Sequence, residues 1–346
     1  MDERSRSTRE RVREAIKASN VPMPAEVVRK IAQLSSQDAR DVLRGHPGFP
    51  VWERRMSYET SLQIFEQSVQ DLLRAIEDFK DLSLDGSIFD RTREGELNQV
   101  LCSVQKELFA AGNAVHALMY HSTRRLQRRV QVPGYDQRLT DCFGDDGLHD
   151  FVIGLRNIVQ HIQMVRPGWQ VTHAFGEAQD VATFKLDRDE LLLIVKSTKD
   201  KMNASGKRYL ESAPEKIDLR HVFEEYRQRA REFYSWFSDA IDAHRLEELR
   251  DYERCRRENN NAAARMSWKA VLGIWLNRET PPNPYNHLAR YLTADQLEEV
   301  YALPMRSNEQ VDKVIEFVDT DGACDDELRK LAYQLFCRAS ADNTFH

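Results

Sequence analysis

Residues 58–82 read YETSLQIFEQSVQDLLRAIEDFKDL, and this stretch predicts one long amphipathic helix. Apolar residues recur every three or four positions along it, which is the period of an α-helix. The members of this stripe are Leu62, Phe65, Val69, Leu72, Leu73, Ile76 and Phe79. Similar stripes recur along much of the chain, which has only 14 glycines and 11 prolines in 346 residues. Together these features indicate a mainly helical protein.

Turn-forming residues separate this helix from its neighbours. Gly45, Pro47, Gly48 and Pro50 precede it and mark a boundary near residue 50. Before that boundary, two short helices are expected at Arg9–Ser19 and from Pro24 to Leu34 or Leu43. After it, helices are expected at about 94–129, 148–165, 188–203 and 219–257, the last with a break near His244.

The composition of the sequence changes between the second and third of these later helices, between residues 165 and 188. WQVTHAF (169–175) and DVATFKL (180–186) are rich in β-branched and aromatic residues and are separated by Gly-Glu-Ala-Gln. This pattern predicts a small β-hairpin near residues 170–186.

An asparagine triplet suggests a second boundary. We expect Asn259–Asn261 to form a loop or link, followed by a further helical region. The predicted organisation is an N-terminal helical segment (1–50), a helical bundle (51–258) and a C-terminal helical region (259–346). The fold class is therefore all-α in the main, with one small β-hairpin.

The charge balance restricts the kinds of partner. Lys and Arg number 50 against 56 Asp and Glu, so any contact with nucleic acid must come from a local patch. One such patch lies late in the second long helix, where residues 121–138 hold five arginines and one acid. RNA phosphates would suit it, but cations also favour the C-terminal end of any helix. The arginines on this helix are Arg124, Arg125, Arg128 and Arg129.

Cysteine usage and hydropathy point to the cytoplasm. The five cysteines are scattered and form no CxxC pair, which predicts reduced thiols rather than disulfides or a zinc site. No apolar run approaches 18 residues, and the N-terminal charges are not followed by a hydrophobic block. Neither a membrane span nor a secretory signal is therefore expected.

One short motif stands out, Gly-Leu-Arg-Asn-Ile-Val-Gln-His at residues 154–161. With Arg156 set to zero on a helical wheel, Asn157 falls near 100° and His161 near 140°. The apolar residues of this helix cluster on the opposite side. Asn157 and His161 are four residues apart, so they are neighbours on the helix surface.

These residue types suit the cleavage of RNA without a metal. A histidine transfers protons near neutral pH, and an arginine stabilises charge on a phosphate. An asparagine orients the imidazole or donates to a phosphoryl oxygen. The nucleophile would be the RNA 2′-hydroxyl, so neither a cofactor nor a metal is expected.

The arrangement of Arg156, a polar Asn157, three residues and His161 resembles the signature of the HEPN superfamily. That signature is an Arg followed four to six residues later by a His, late in a bundle of long helices. The resemblance covers about residues 55–245 and implies an antiparallel helical bundle that usually forms a homodimer. In active members, two copies of Arg and His build one composite ribonuclease site.

The same resemblance implies roles in phage defence or toxin–antitoxin systems, with RNA as substrate and an antitoxin or regulatory protein as partner. The β-hairpin and the C-terminal extension depart from the minimal fold and leave the usual dimer geometry open. Three interpretations compete: an endoribonuclease, a non-catalytic module that binds RNA or protein, and a structural helical scaffold in which the resemblance of the motif is a chance match. His149 and Asp150 precede the motif by less than two turns, where they could help to position substrate. They suit a helix start better and stand outside the expected catalytic set.

Overall fold

The structure is a computed structural model that describes residues 3–84, 86–161, 168–172, 181–198, 201–244 and 246–338. The chain divides into two compact units, one of Met1–Pro50 with Glu247–His346 and the other of Val51–Leu246. The predicted N-terminal segment 1–50 and C-terminal region 259–346 thus belong to the same unit, together with residues 247–258.

Helices dominate the described residues, as the sequence predicts. The first half of the chain contains α1 (Glu3–Ala18), α2 (Ala25–Ala32), α3 (Ser36–Leu43), α4 (Phe49–Leu84), α5 (Glu94–His116), α6 (Arg124–Val130), α7 (Tyr135–Phe143) and α8 (Leu148–His161). The second half contains α9 (Arg188–Ser197), α10 (Ala204–Ser212), α11 (Leu219–Ala243), α12 (Glu247–Leu276), α13 (Ala294–Tyr301), α14 (Asn308–Val318) and α15 (Asp326–Arg338). Three 3₁₀ turns, Ser87–Phe89, Arg91–Arg93 and Pro284–Arg290, join some of these helices.

The predicted β-hairpin is confirmed. Strands β1 (Gly168–Thr172) and β2 (Val181–Asp187) pair antiparallel, with Trp169 opposite Phe184. Residues 173–180, between the two strands, lie outside the described residues. A third strand that the sequence analysis did not predict, β3 (Lys216–Asp218), pairs antiparallel with β2. Leu186 and Ile217 are opposite each other in this pairing and both are buried, which accounts for the extra strand.

Aromatic residues of α11 form much of the core of the second unit. Every member of this cluster is at most 2% exposed: Phe223, Tyr226, Phe233, Tyr234 and Phe237. Helix α8 packs against α5 and α10 in the same unit. These contacts fix the position of α8, the helix that carries the motif at residues 154–161.

The expected link at Asn259–Asn261 is wrong, because α12 runs through the triplet without a break. Asn259 Nδ2 donates to the carbonyl oxygens of Ile31 at 2.9 Å and Leu34 at 3.1 Å. Asn261 Nδ2 donates to the carbonyl oxygen of Asp321 at 2.8 Å. These asparagines bind segments distant in sequence, so they hold the first unit together. The predicted break near His244 is present, between α11 and α12.

None of the helices that the structure describes is both long enough and apolar enough to cross a membrane.

Candidate active site

Helix α8 carries the motif, and its start is fixed by a glycine. Gly147 has a φ of +88°, and a Cβ atom there would lie 2.5 Å from the carbonyl oxygen of Ser205. Only glycine tolerates both conditions, so Gly147 lets α8 begin close to α10. The predicted apolar face of α8 is buried, with exposures of at most 8%: Phe151, Val152, Leu155, Ile158 and Val159. The predicted continuation to Val165 lies outside the described residues.

Arg156 is half-buried and its guanidinium is held by two amide oxygens. Its Nε donates to Asn113 Oδ1 at 3.1 Å, and its Nη1 donates to Asn157 Oδ1 at 2.9 Å. Asn113 belongs to α5. The residue before it is Gly112, and the absence of a side chain there lets α5 approach α8 closely. A Cβ atom on Gly112 would lie 3.1 Å from Cβ of Arg156. Two polar side chains and one glycine therefore set the position of this arginine.

The positive charge of Arg156 has no carboxylate partner among the residues that the structure describes. A guanidinium has five N–H donors, and the two hydrogen bonds above use two of them. Burial lowers the pKa of Arg156, but an arginine stays charged at any physiological pH. The remaining donors can hold an anion such as a phosphate.

Asn157 is a support for Arg156. Its Nδ2 donates to the carbonyl oxygen of Lys201 at 3.1 Å, which turns its Oδ1 towards Nη1 of Arg156. From the sequence, Asn157 is expected to orient an imidazole or to donate to a phosphoryl oxygen. In the structure both ends of the amide are already engaged, by Arg156 and by Lys201.

His161 is the last residue of α8, one helical turn beyond Asn157. Its backbone belongs to the described part of the chain, whereas its side chain lies outside the described residues. The proximity of its imidazole to Arg156 therefore stays a prediction.

A second histidine, His116, interacts electrostatically with Arg156. His116 is half-buried at the end of α5, where the helix widens into a π-helical turn, Ala117–Thr123, before α6. Such turns are frequent at functional sites. The ring centroid of His116 is 4.9 Å from that of Tyr120 and 5.2 Å from that of His121. Burial lowers the pKa of His116, and its electrostatic interactions with Arg156 and His121 lower it further. The imidazole is therefore neutral near pH 7 and able to accept a proton.

The predicted basic patch is on the surface of α6. The side chains of Arg124, Arg125, Arg128 and Arg129 are all exposed. The guanidinium of Arg124 stacks over the ring of Tyr120, 4.3 Å from its centroid. Tyr120 also contacts His116, whose pKa is lowered by burial and by the charge of Arg156.

A buried cluster in the first unit offers three types of metal ligand. Atoms of His46, Asp251 and Cys255 lie within 4.8 Å of one another. His46 Nδ1 accepts a hydrogen bond from the Gly48 amide at 3.0 Å, and its Nε2 lies 3.2 Å from Asp251 Oδ2. Both ring nitrogens are thus engaged, and burial raises the pKa of the Cys255 thiol to about 12. The cluster fits a structural network better than a cation site.

Asp251 extends this network. Its Oδ2 accepts a hydrogen bond from the Met23 amide at 2.7 Å, and its Oδ1 accepts one from Nε of Arg254 at 3.1 Å. The carboxylate ties α12 to the N-terminal segment of the same unit.

Neither the contact of Asn113 with Arg156 nor the electrostatic interaction of His116 with Arg156 was predicted from the sequence. Asn113 is 43 residues from Arg156, and no local pattern joins the two. One signal was present: Gly112 lies in the interior of a long helix, where glycine commonly marks a close approach of another backbone.

Comparison of the chain with protein-family models, with curated proteins and with solved structures finds no match. The interpretation of this site therefore depends on its residues and their contacts.

Proposed function

We propose that the protein is a metal-independent endoribonuclease of the HEPN type, with Arg156 and His161 as its catalytic pair. One observation carries the proposal: the charge of Arg156 has no carboxylate partner among the described residues. A chance match on a solvated helix would readily leave such an arginine paired with an acid. Here two amides fix its direction and leave its charge available for a phosphate.

The proposed reaction uses groups of the RNA itself. The 2′-hydroxyl loses its proton to a histidine, and its oxygen attacks the adjacent phosphorus. The bond from phosphorus to the 5′-oxygen breaks, and that oxygen takes up a proton. The products are a 2′,3′-cyclic phosphate and a 5′-hydroxyl. Arg156 stabilises the negative charge that builds up on the phosphoryl oxygens, and Asn157 and Asn113 hold the guanidinium in place.

Two proton transfers are needed, one at each end of the reacting phosphate. His161 provides one, as the resemblance implies. His116 is a candidate for the other, because it interacts electrostatically with Arg156 in the same chain and its lowered pKa keeps it neutral. A symmetric dimer would instead bring a second His161, so the two arrangements differ in whether His116 is required.

The test is incubation of the purified full chain with total RNA in EDTA. We expect wild type to cut RNA and to leave matching DNA intact. His161→Ala should abolish turnover, since general acid–base catalysis contributes about 10²–10⁴-fold. Arg156→Ala should lower kcat at least as much as it raises KM, because the charge it stabilises is greatest in the transition state.

The matched control is Arg74→Ala. It removes an exposed arginine of α4 that is paired with Asp71, and cleavage should not change. Circular dichroism should show that all variants are folded. If wild type cuts no RNA but binds RNA or a protein tightly, the alternative of a non-catalytic module replaces this proposal. If either catalytic variant unfolds the chain, its residue is structural.

A further inference from the structure

An open pocket of about 180 Å³ lies at the start of α8, whereas Arg156 lies in the second half of this helix. We call it the α7/α8 pocket. Its polar lining comes from α6, α7, α8, α10 and the π-helical turn, and consists of Tyr120, Arg124, Thr140, His149, Asp150 and Ser205. Water occupies about 30 Å³ and a drug-sized pocket about 300–1,000 Å³, so the space suits one small planar group.

The pocket shares one helix face with the candidate active site. His149 and Arg156 are seven residues apart on α8, which is about 10 Å along the axis and about 20° around it. A stacked strand covers that distance within about three nucleotides, at a rise of ~3.4 Å each. A strand with a phosphate at Arg156 can therefore reach the pocket.

Several polar side chains of the pocket have hydrogen-bond donors or acceptors without a partner among the described residues. His149 Nδ1 lies 3.0 Å from the Tyr226 hydroxyl, and within the described residues its Nε2 has no hydrogen-bond partner. Similarly, among these residues Asp150 and Ser205 make no side-chain hydrogen bond, and Arg124 has no carboxylate partner. The pocket thus offers donors and acceptors side by side.

This mixture of groups favours a neutral, planar ligand over an anion. The carboxylate of Asp150 repels a phosphate, while Arg124 and Ser205 need acceptors. Burial lowers the pKa of His149 to about 4, so the imidazole adds no positive charge near pH 7. The Arg124 guanidinium, stacked on Tyr120, presents a flat face. Unstacked RNA bases are held by such faces and by hydrogen bonds along their edges.

We infer that the α7/α8 pocket binds one unstacked base of the RNA strand, close to the bond that is cut, and selects it by hydrogen bonds to Asp150 and Ser205. This inference rests on the proposed endoribonuclease function. It makes Asp150 a specificity-determining residue, because a carboxylate accepts from the amino group of a base and cannot donate.

The first test is a map of cleavage sites on a random RNA pool with Asp150→Asn. The amide adds donors where the carboxylate only accepts. We expect the base preference at one position near the cut to change roughly tenfold. The control is Asp145→Asn, which changes an exposed acid of the adjoining loop and should keep the wild-type preference. An unchanged preference in Asp150→Asn would overturn the inference and leave the nuclease proposal intact.

The second test works even if the protein cuts no RNA. Histidine-labelled His161→Ala protein is titrated with cytidine and adenosine 5′-monophosphates and with inorganic phosphate, and the His149 signals are followed by NMR. We expect a nucleotide to shift these signals, and Asp150→Asn to weaken the response. Equal shifts with phosphate alone would define an anion site and overturn the inference, as would no shift at all.

Discussion

Arg156 donates a hydrogen bond from Nε to Oδ1 of Asn113, 3.1 Å away on a different helix. A neutral amide in this place directs the guanidinium without cancelling its charge. A carboxylate would direct it equally well but would form an ion pair. The identity of residue 113 therefore bears directly on whether Arg156 is available to a phosphate.

The variant Asn113→Asp tests this relationship. It keeps the shape of the side chain and places a negative charge within hydrogen-bond distance of Nε. We expect RNA affinity and cleavage rate to fall about tenfold or more, since the carboxylate competes with the phosphate. Asn98→Asp makes the same change at an exposed position of α5 and should have little effect. Full activity in Asn113→Asp would show that the charge of Arg156 is not used.

The pKa of His149 predicts a pH dependence of stability. It is about 4 in the folded chain, against an ordinary value near 6.5, because burial disfavours the charged form. As the pH falls, the unfolded chain takes up the proton first. The contribution of the neutral His149 imidazole to stability is therefore fully present above pH 6.5 and is lost as the pH falls towards 4. The loss is at most about 3 kcal/mol from this group.

NMR titration of His149 checks the pKa, and melting temperatures from pH 7 to pH 4 check the linkage. Because the imidazole has to stay neutral in the folded chain, its signals should not titrate above pH 5. A pKa near 6.5 would contradict the prediction.

Asp251 is expected to be important for the stability of the first unit. Its buried carboxylate accepts hydrogen bonds from Met23 and Arg254 and faces His46. Asp251→Ala leaves these groups unpaired and should lower the free energy of unfolding by about 2–4 kcal/mol. Glu253→Ala, two positions along α12, is the control and should cost much less. Thermal and urea unfolding of the full chain measure both, and equal effects would show that the network contributes little.

The family resemblance predicts a symmetric dimer that brings two copies of His161 together. Sedimentation velocity at micromolar protein should then show a species near twice 40.3 kDa. Mixing Arg156→Ala with His161→Ala protein should restore part of the activity if the site is composite. A monomer that cuts RNA would favour the arrangement with His116.

The long helices were predictable because their signal is local. Phe65, Val69, Leu72 and Ile76 follow the helical period of the quoted stretch, and all four are at most 2% exposed. Other elements depend on distant contacts. The helix through Asn259 is stabilised by carbonyl groups more than 200 positions earlier, and a composition rich in asparagine resembles a loop.

The candidate site was also predictable in part, because three of its residues lie close together in the sequence of one helix. The order of Arg156, Asn157 and His161 is visible along one helix, and so is the opposite apolar face. The π-helical turn at Ala117–Thr123 leaves no mark in composition, and it alters which residues of that helix share a face. The pairing of Arg156 with Asn113 required the packing of α5 on α8.

The proposed cleavage of RNA by Arg156 and His161 depends on the RNA 2′-hydroxyl. The most direct measurement uses an end-labelled RNA with a mapped cleavage site and a copy with one 2′-deoxy nucleotide at that site, both in EDTA. The RNA should be cut to a 2′,3′-cyclic phosphate and a 5′-hydroxyl, whereas the substituted bond should stay intact. His161→Ala should cut neither substrate. Cleavage of the substituted bond at the original rate, or an active His161→Ala variant, would contradict the proposed mechanism.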